Sequence, residues 1–149
     1  MTEITVRRLR TSDHEGWQPL WEQYLRFYRA EIPDSTSDNT FARLCGDDAA
    51  LHGLLAIGAG GNPVGLAHLI FHPSTWADTP YCYLEDLFVD PRSRGSGVAQ
   101  RLIESVYETA RERGAERVYW TTQQFNAPAR SLYDTVARLT SFVIYEHEV

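Results

Sequence analysis

Apolar side chains along this chain repeat with two periods, one typical of helices and one typical of strands. Between 17 and 28 they recur at three- and four-residue steps, which places them on one face of a helix: Trp17, Leu20, Trp21, Tyr24, Leu25 and Tyr28. A second such face predicts a helix from Val98 to Ala110, ended by Gly114. A shorter helix is predicted over 39–45, and a last one after Asn126, a residue that suits an N-cap.

Strand-forming runs lie between and after these helices. They cover residues 4–9, 54–57, 64–71, 82–89, 118–122 and 142–145. The glycine-rich segment 58–62 predicts a hairpin turn, and residues 72–76 are predicted to form a loop. The resulting order, β-α-α-β-β-β-α-β-α-β, predicts an α/β fold.

Length and composition add several expectations. The 149 residues predict one domain, over 1–149, with a substantial core. No run of 18 apolar residues occurs and the N-terminus lacks a basic-then-apolar pattern, so we expect a cytoplasmic protein with no membrane segment. Cys45 and Cys82 lie far apart and the histidines are scattered, which predicts free thiols and no metal site.

The net charge of −6 hides an uneven distribution of charged residues. Residues 31–90 hold nine acids against Arg43 alone, whereas 91–138 hold eight arginines against five acids. An acidic part can steer a protonated amine and a basic part suits a phosphate, although a simply solvated acidic surface explains the first observation equally well. The acidic total argues against a nucleic-acid partner.

The most informative segment is the Arg/Gly/Ser loop that joins the strand over 82–89 to the next helix. Free amides at a helix N-terminus suit a phosphate, with Gly95 and Gly97 to let the backbone approach and Arg92 and Arg94 as added donors. A nucleotide-binding P-loop needs a lysine, and the chain has none. A dinucleotide fingerprint needs a third glycine, which is missing here.

The loop sequence Arg94-Gly95-Ser96-Gly97-Val98-Ala99 resembles the coenzyme A pyrophosphate loop of the GNAT superfamily of N-acetyltransferases. Asn126 and Tyr133 follow seven residues apart, as in members of that family, and Y-L-E-D-L-F-V is similar to a strand of spermidine/spermine and related diamine acetyltransferases. The resemblance covers roughly residues 81–136. It implies a central mixed sheet with helices on both faces, in which two parallel strands, here 82–89 and 118–122, splay apart to admit the coenzyme.

The resemblance also implies acetyl-CoA as co-substrate and a set of contacts for it. The pantetheine arm would lie along Leu87, Phe88 and Val89. The Leu87 N–H would donate to the thioester oxygen, which gains charge in the transition state. Backbone N–H groups would hold the pyrophosphate: Arg94, Gly95, Ser96, Gly97, Val98 and Ala99. Asn126 would contact the coenzyme as well.

Tyr133 and Glu85 are the predicted catalytic residues. A phenol is protonated at pH 7 and can give its proton to the departing thiolate, although a tyrosine on the inner face of a helix is also typical of a core. Glu85 would take the proton of the amine if burial and neighbouring Asp86 raise its pKa. Successive strand side chains point to opposite faces, so both acids face the acceptor only if a bulge intervenes. A pair that binds the cation without taking its proton is the alternative.

The acceptor side is predicted from acidic and aromatic residues. Glu85 and Asp86 would bind a cation, with Trp76 and Tyr24 offering cation–π contacts, although aromatics at helical spacing are also typical of a core. The predicted function is acetyl transfer to the primary amine of a small cationic acceptor: a polyamine, diamine, amino acid or amine-bearing drug. A protein lysine or N-terminus as acceptor, and a non-catalytic acyl-CoA-binding sensor, are the alternatives.

The region after Tyr133 departs from the family pattern. It lacks the glycine-phenylalanine that commonly ends that helix, and the chain stops soon after the single predicted strand over 142–145. A second subunit could complete the sheet, so we expect a homodimer.

Overall fold

The computed structural model describes residues 3–149 and contains five strands and four α-helices in that range. In chain order they are β1 (Thr5–Arg8), α1 (His14–Phe27), α2 (Asp34–Cys45), β2 (Leu51–Ile57), β3 (Pro63–Ser74), β4 (Ala77–Val89), α3 (Val98–Glu112), β5 (Val118–Tyr119) and α4 (Ala127–Val136). Residues 1 and 2 of the domain predicted over 1–149 lie outside the described range, and the single domain stays a prediction.

The strands form one mixed sheet in the order β1-β2-β3-β4-β5. Neighbours are antiparallel except β4 and β5, which are parallel. The β4–β5 ladder has only two pairs, Cys82–Val118 and Tyr83–Tyr119, after which β4 continues to Val89 and β5 has ended. The predicted mixed sheet with two separating parallel strands is therefore confirmed.

Helices cover both faces of the sheet, as predicted. One core lies under α3, whose Val98, Leu102 and Val106 pack with Leu84 and Val89 of β4. A second core lies on the other face, and it joins α1 and α2 to the sheet through Trp17, Leu20, Trp21, Phe41, Leu44, Leu55, Leu66 and Phe88. Each fully buried leucine of this kind stabilises the fold by about 2 kcal/mol relative to an exposed one.

The loop predicted over 72–76 is wrong. β3 and β4 extend to Ser74 and Ala77, which leaves a two-residue turn between them. The last residue of β3 that pairs with β2 is Ile70, so beyond it β3 has no neighbour on the β2 side. Pro73 lies in this part of β3 and therefore removes no hydrogen bond to β2. His72 adds a cross-strand contact with the Tyr81 ring, at 5.7 Å between centroids.

The strand predicted over 142–145 is also wrong. Residues 137–149 carry neither helix nor strand, and the large apolar side chains of this tail are exposed, Phe142 by 81% and Tyr145 by 94%. The local sequence favours extended backbone, but a strand needs a neighbouring edge to satisfy its backbone groups. In the described chain the tail pairs with neither edge strand of the sheet, β1 or β5.

Candidate active site

The loop between β4 and α3 is shaped by one carboxylate and two glycines. Buried Asp90 accepts hydrogen bonds from the backbone N–H and the guanidinium of Arg92, which closes a tight turn after β4. Gly95 and Gly97 have φ of 84° and 85°, a left-handed conformation that strains any other residue. Gly97 is the N-cap of α3 and gives that helix no side-chain cap.

The start of α3 therefore presents unpaired donors. In the described residues, the successive backbone N–H groups from Gly95 to Gln100 find no acceptor, and the Arg101 N–H is the first to bond, to the Gly97 carbonyl. No acidic side chain lies in the first turn of α3. Open amides at the positive end of a helix dipole fit a pyrophosphate group.

The two loop arginines are less free than the sequence suggested. Arg92 is bonded to Asp90 through two guanidinium nitrogens. The Nε of Arg94 donates to the Val89 carbonyl at 3.2 Å, and its guanidinium lies 5.6 Å from the centre of the Phe88 ring. Both arginines thus brace the loop against β4, and the open amides carry more of the anion-binding capacity than the side chains do.

The backbone of β4 faces an open gap beyond the last β5 pair. The Asp90 N–H donates to the Val64 carbonyl on the β3 side. Backbone groups of an extended strand alternate between its two sides, so Leu87 and Val89 face away from β3, where β5 has ended. The Val89 carbonyl accepts a hydrogen bond from Arg94, whereas the Leu87 N–H points into the gap.

A β-bulge decides where the two acids lie. His68 pairs with Asp86 and Leu69 with Leu84, so Glu85 is an extra residue in β4. Leu84 and Leu87 consequently both pack in the core under α3, although a regular strand would put residues three apart on opposite faces. Both acids act on Tyr24 of α1: burial first, and then the charges of Asp86 and Glu85, raise the pKa of that phenol. The sequence predicted that both acids could face the acceptor only if a bulge lay between them, and the structure has that bulge.

The carboxyl of Glu85 has a raised pKa. The Glu85 side chain reaches solvent, yet desolvation by neighbouring protein atoms and then the charge of Asp86 raise its pKa, while Tyr83 lowers it. Burial and then Asp86 raise the pKa of Tyr24 and of Tyr28. Two carboxylates and two phenols therefore share one partly desolvated region.

The aromatic stripe of α1 runs from the core to this region. Successive rings of Trp17, Trp21, Tyr24 and Tyr28 lie 5.6, 5.6 and 5.0 Å apart between centroids. Trp21 is buried and belongs to the core, whereas Tyr24 is half-buried beside Asp86. The stripe thus has a packing end and an end that faces the site.

α4 brings Asn126 and Tyr133 to the other side of the gap. The Asn126 Oδ1 accepts from the Ala129 N–H at 3.4 Å, so the predicted N-cap is present. The Tyr133 ring meets the Trp120 ring edge-on at 5.3 Å, and burial together with Tyr28 raises the pKa of its phenol. Tyr133 is therefore close to the tyrosine end of α1.

Trp76 is not brought together with these residues. It lies in the turn between β3 and β4 and is 82% exposed. Nine residues separate it from Glu85, which is roughly 30 Å along an extended strand. The structure thus groups Glu85, Asp86 and Tyr24 of the predicted acceptor site and leaves Trp76 apart.

Sequence reasoning missed His68. Its Nε2 accepts from Trp17 Nε1–H at 3.0 Å and its Nδ1 lies 2.8 Å from Asp86 Oδ2. The sequence does contain a signal for these contacts: His68 lies inside the apolar run Leu66-Ala67-His68-Leu69-Ile70. A polar ring buried in such a strand requires hydrogen-bond partners.

The described residues lack the features of two other kinds of site. Between 3 and 149 there is no cluster of three or more His, Cys, Asp or Glu that could hold a metal ion. No helix in that range has the length and apolar character needed to cross a membrane.

Comparisons with known proteins agree with this geometry. The acetyltransferase (GNAT) family model matches residues 17–136. The chain is 37% identical to a D-amino-acid N-acetyltransferase of Saccharomyces cerevisiae over 96% of its length and 89% of that protein. It is 36% identical to a thialysine N-epsilon-acetyltransferase of Caenorhabditis elegans over 60% of its length and 55% of that protein.

A solved aminoglycoside N-acetyltransferase in complex with CoA has the same fold, with a TM-score of 0.84 at 22% identity over 99% of this chain and 96% of the other. The family match spans most of the chain, and the open amides of α3 and the gap beside β4 are the features that a bound acyl-coenzyme A requires. The chain therefore belongs to the GNAT family and is an acetyl-CoA-dependent N-acetyltransferase.

Proposed function

We propose that this enzyme transfers the acetyl group of acetyl-CoA to the primary amine of a small cationic acceptor, by direct attack in a ternary complex. The observation that carries the proposal is the β4 bulge. The bulge gathers Glu85 and Asp86 beside Tyr24. The two acids directly precede Leu87, whose amide faces the gap. An anionic pocket thus adjoins the place where a thioester carbonyl can be polarised.

The donor side is held mainly by backbone groups. The amides from Gly95 to Gln100 would bind the pyrophosphate, and the gap-facing backbone of β4 would pair with the pantetheine arm. Asn126, which caps α4 at the far side of the gap, would add a contact to the coenzyme. The Leu87 N–H would donate to the carbonyl oxygen as it gains negative charge.

The acceptor side supplies charge and a proton acceptor. Glu85 and Asp86 would attract the protonated amine, with the Tyr24 and Tyr28 rings beside it. Glu85 has a raised pKa and reaches solvent, so it can take one proton from the ammonium and pass it to water. The freed amine then attacks the acetyl carbon, forming the C–N bond.

The leaving group needs a proton as the C–S bond breaks. Tyr133 keeps its proton at neutral pH, because burial raises its pKa, and it would donate that proton to the departing thiolate. The nitrogen of the new amide loses its remaining extra proton, which restores the phenol. The balance is one ammonium and one thioester converted to one amide, one thiol and one proton.

Two relatives support a small acceptor. The proteins of Saccharomyces cerevisiae and Caenorhabditis elegans are named for D-amino acids and for thialysine, both small molecules with an amine. Their names do not fix the acceptor of this chain. The acidic pair Glu85 and Asp86 favours acceptors that are cationic at neutral pH, because two carboxylates attract positive charge.

The experiment is a thiol-release assay with acetyl-CoA and a panel of amines: thialysine, D-lysine, spermidine, putrescine and a lysine-containing peptide. The proposal expects acetylation of at least one small amine, with the product gaining one acetyl mass, and slower turnover of the peptide. Turnover of the peptide alone would replace the small acceptor by a protein lysine. Neutral amines acetylated as well as cationic ones would contradict the role of the acidic pair.

We also propose that the enzyme is a homodimer. Its tail, residues 137–149, exposes Leu139, Phe142, Val143 and Ile144 by 71–81%, and β5 lies at one edge of the sheet. Tail and edge of two copies can pair reciprocally. Light scattering should give twice the chain mass, 17.0 kDa for one chain, and a monomeric mass would contradict the dimer.

A further inference from the structure

A buried row of polar side chains underlies the acceptor region. It runs from Trp17 on α1 through His68 on β3 to Asp86 on β4, with distances of 3.0 and 2.8 Å. The His68 side chain is 3% exposed and that of Asp86 13%. His68 is also the residue that faces Asp86 across the two strands, beside the bulge.

The row fixes the state of the imidazole. An indole nitrogen can only donate, so His68 Nε2 accepts from Trp17 and the ring proton lies on Nδ1. The Nδ1–H then donates to Asp86 Oδ2. Two tilted rings pack against His68, Trp17 at 6.0 Å and Trp21 at 5.2 Å between centroids, and they help to hold the imidazole in this orientation.

The two acids of the pocket are therefore held differently. Asp86 accepts a hydrogen bond from the buried His68, whereas Glu85 is exposed at the surface. A charged hydrogen bond in a buried setting orients its carboxylate more firmly than an exposed one does. The anchored acid suits binding of a fixed cation, and the exposed acid suits exchange of a proton with water.

We infer that His68 is a positioning residue: through its Nδ1–H it holds Asp86 as the fixed anion that receives the ammonium group of the acceptor. The inference rests on the proposed function and deepens it. Acceptor affinity is set in part by a side chain that touches neither substrate, and Glu85 is left as the group that moves the proton.

A matched pair of substitutions tests the role. His68→Gln keeps a polar group toward Trp17 but removes the donor to Asp86, whereas His68→Asn keeps a donor at the place of Nδ1. With thialysine or D-lysine as acceptor, His68→Gln should raise the KM for the amine about tenfold, the size expected for one hydrogen bond to a charged group. The KM for acetyl-CoA and the kcat at saturating amine should stay within about twofold.

His68→Asn should recover most of the amine affinity, although Asn is the smaller side chain and fills less of the space of the ring. Equal increases in both variants, or a parallel increase in the KM for acetyl-CoA, would reduce His68 to a packing residue and overturn the inference. Thermal unfolding of both variants provides the control, since His68→Asn leaves the larger void and a pure packing role would make it the worse variant.

A second measurement needs no variant. Nitrogen-15 NMR of the wild-type imidazole should show Nδ1 protonated and Nε2 bare, and the opposite tautomer would overturn the inference by itself. A wild-type enzyme that acetylates no amine would overturn the proposed function and this inference together. An active enzyme with the opposite tautomer, or with an unchanged amine KM in His68→Gln, would overturn this inference alone.

Discussion

The two walls of the gap beside β4 are built differently. The β4 wall is a 13-residue strand, paired with β3 and backed by the buried Trp17–His68–Asp86 row. The opposite wall consists of the two-residue strand β5 and of α4, a helix with no buried residue, and the tail beyond it is exposed. The proposed acceptor residues Glu85 and Asp86 thus lie on a wall that is fixed by packing, whereas Tyr133 lies on a wall with fewer buried contacts of its own.

The strongest test of the α4 wall is Tyr133→Phe. The ring keeps its contact with Trp120 but loses the proton, so we expect kcat to fall about 100-fold or more, with little change in the KM for acetyl-CoA. Steady-state thiol release measures both constants. Tyr119→Phe, on β5 of the same wall, is the control and should stay near wild type; full activity of Tyr133→Phe would remove the general-acid role.

The difference in packing can be measured with one leucine from each side. Leu102 of α3 is fully buried and packs against the β4 wall. Leu102→Ala should lower the free energy of unfolding by about 2–5 kcal/mol, the usual cost of such a cavity. Leu132 of α4 is half-buried, and Leu132→Ala should cost about 1 kcal/mol. Equal costs in urea unfolding would show that the two walls are equally well packed.

The two ends of α3 offer a matched pair for the phosphate site. Gly97 and Gly114 both have positive φ and open space where a Cβ would lie, so alanine adds similar strain of about 1–2 kcal/mol at each. Only Gly97→Ala puts a methyl group at the predicted pyrophosphate. Calorimetry should show acetyl-CoA binding weakened about tenfold in Gly97→Ala and unchanged in Gly114→Ala; the same affinity in both would move the phosphate away from this loop.

An effect that depends on pH is expected for Glu85→Gln, on the β4 wall. The raised pKa of Glu85 means that the base is lost to protonation at a higher pH than usual, so wild-type kcat/KM should fall as the pH drops through that raised value. In Glu85→Gln only amine that is already deprotonated can react, and the profile should move to alkaline pH. Glu108→Gln, on the exposed side of α3, should leave it in place. An unshifted profile would leave Glu85 a binding residue.

Local sequence was sufficient for some features and insufficient for others. The α3 face, the loop glycines and the Asn126 cap follow from neighbouring residues, so they could be predicted from the sequence. The extra residue at Glu85 depends on the register between β3 and β4, which a single strand does not encode. The His68 partners come from α1 and β4, and the tail stays unpaired although its residues favour extended backbone. Both outcomes depend on tertiary contacts, so neither could be predicted locally.

The central claim is that loop amides anchor acetyl-CoA while its thioester enters the gap at Leu87. Backbone amide NMR during titration with acetyl-CoA tests this residue by residue. The account predicts the largest shifts at Gly95 to Gln100 and at Leu87, with smaller ones along α4. Saturable binding that leaves these amides unmoved, or no binding at all by the folded protein, would contradict it.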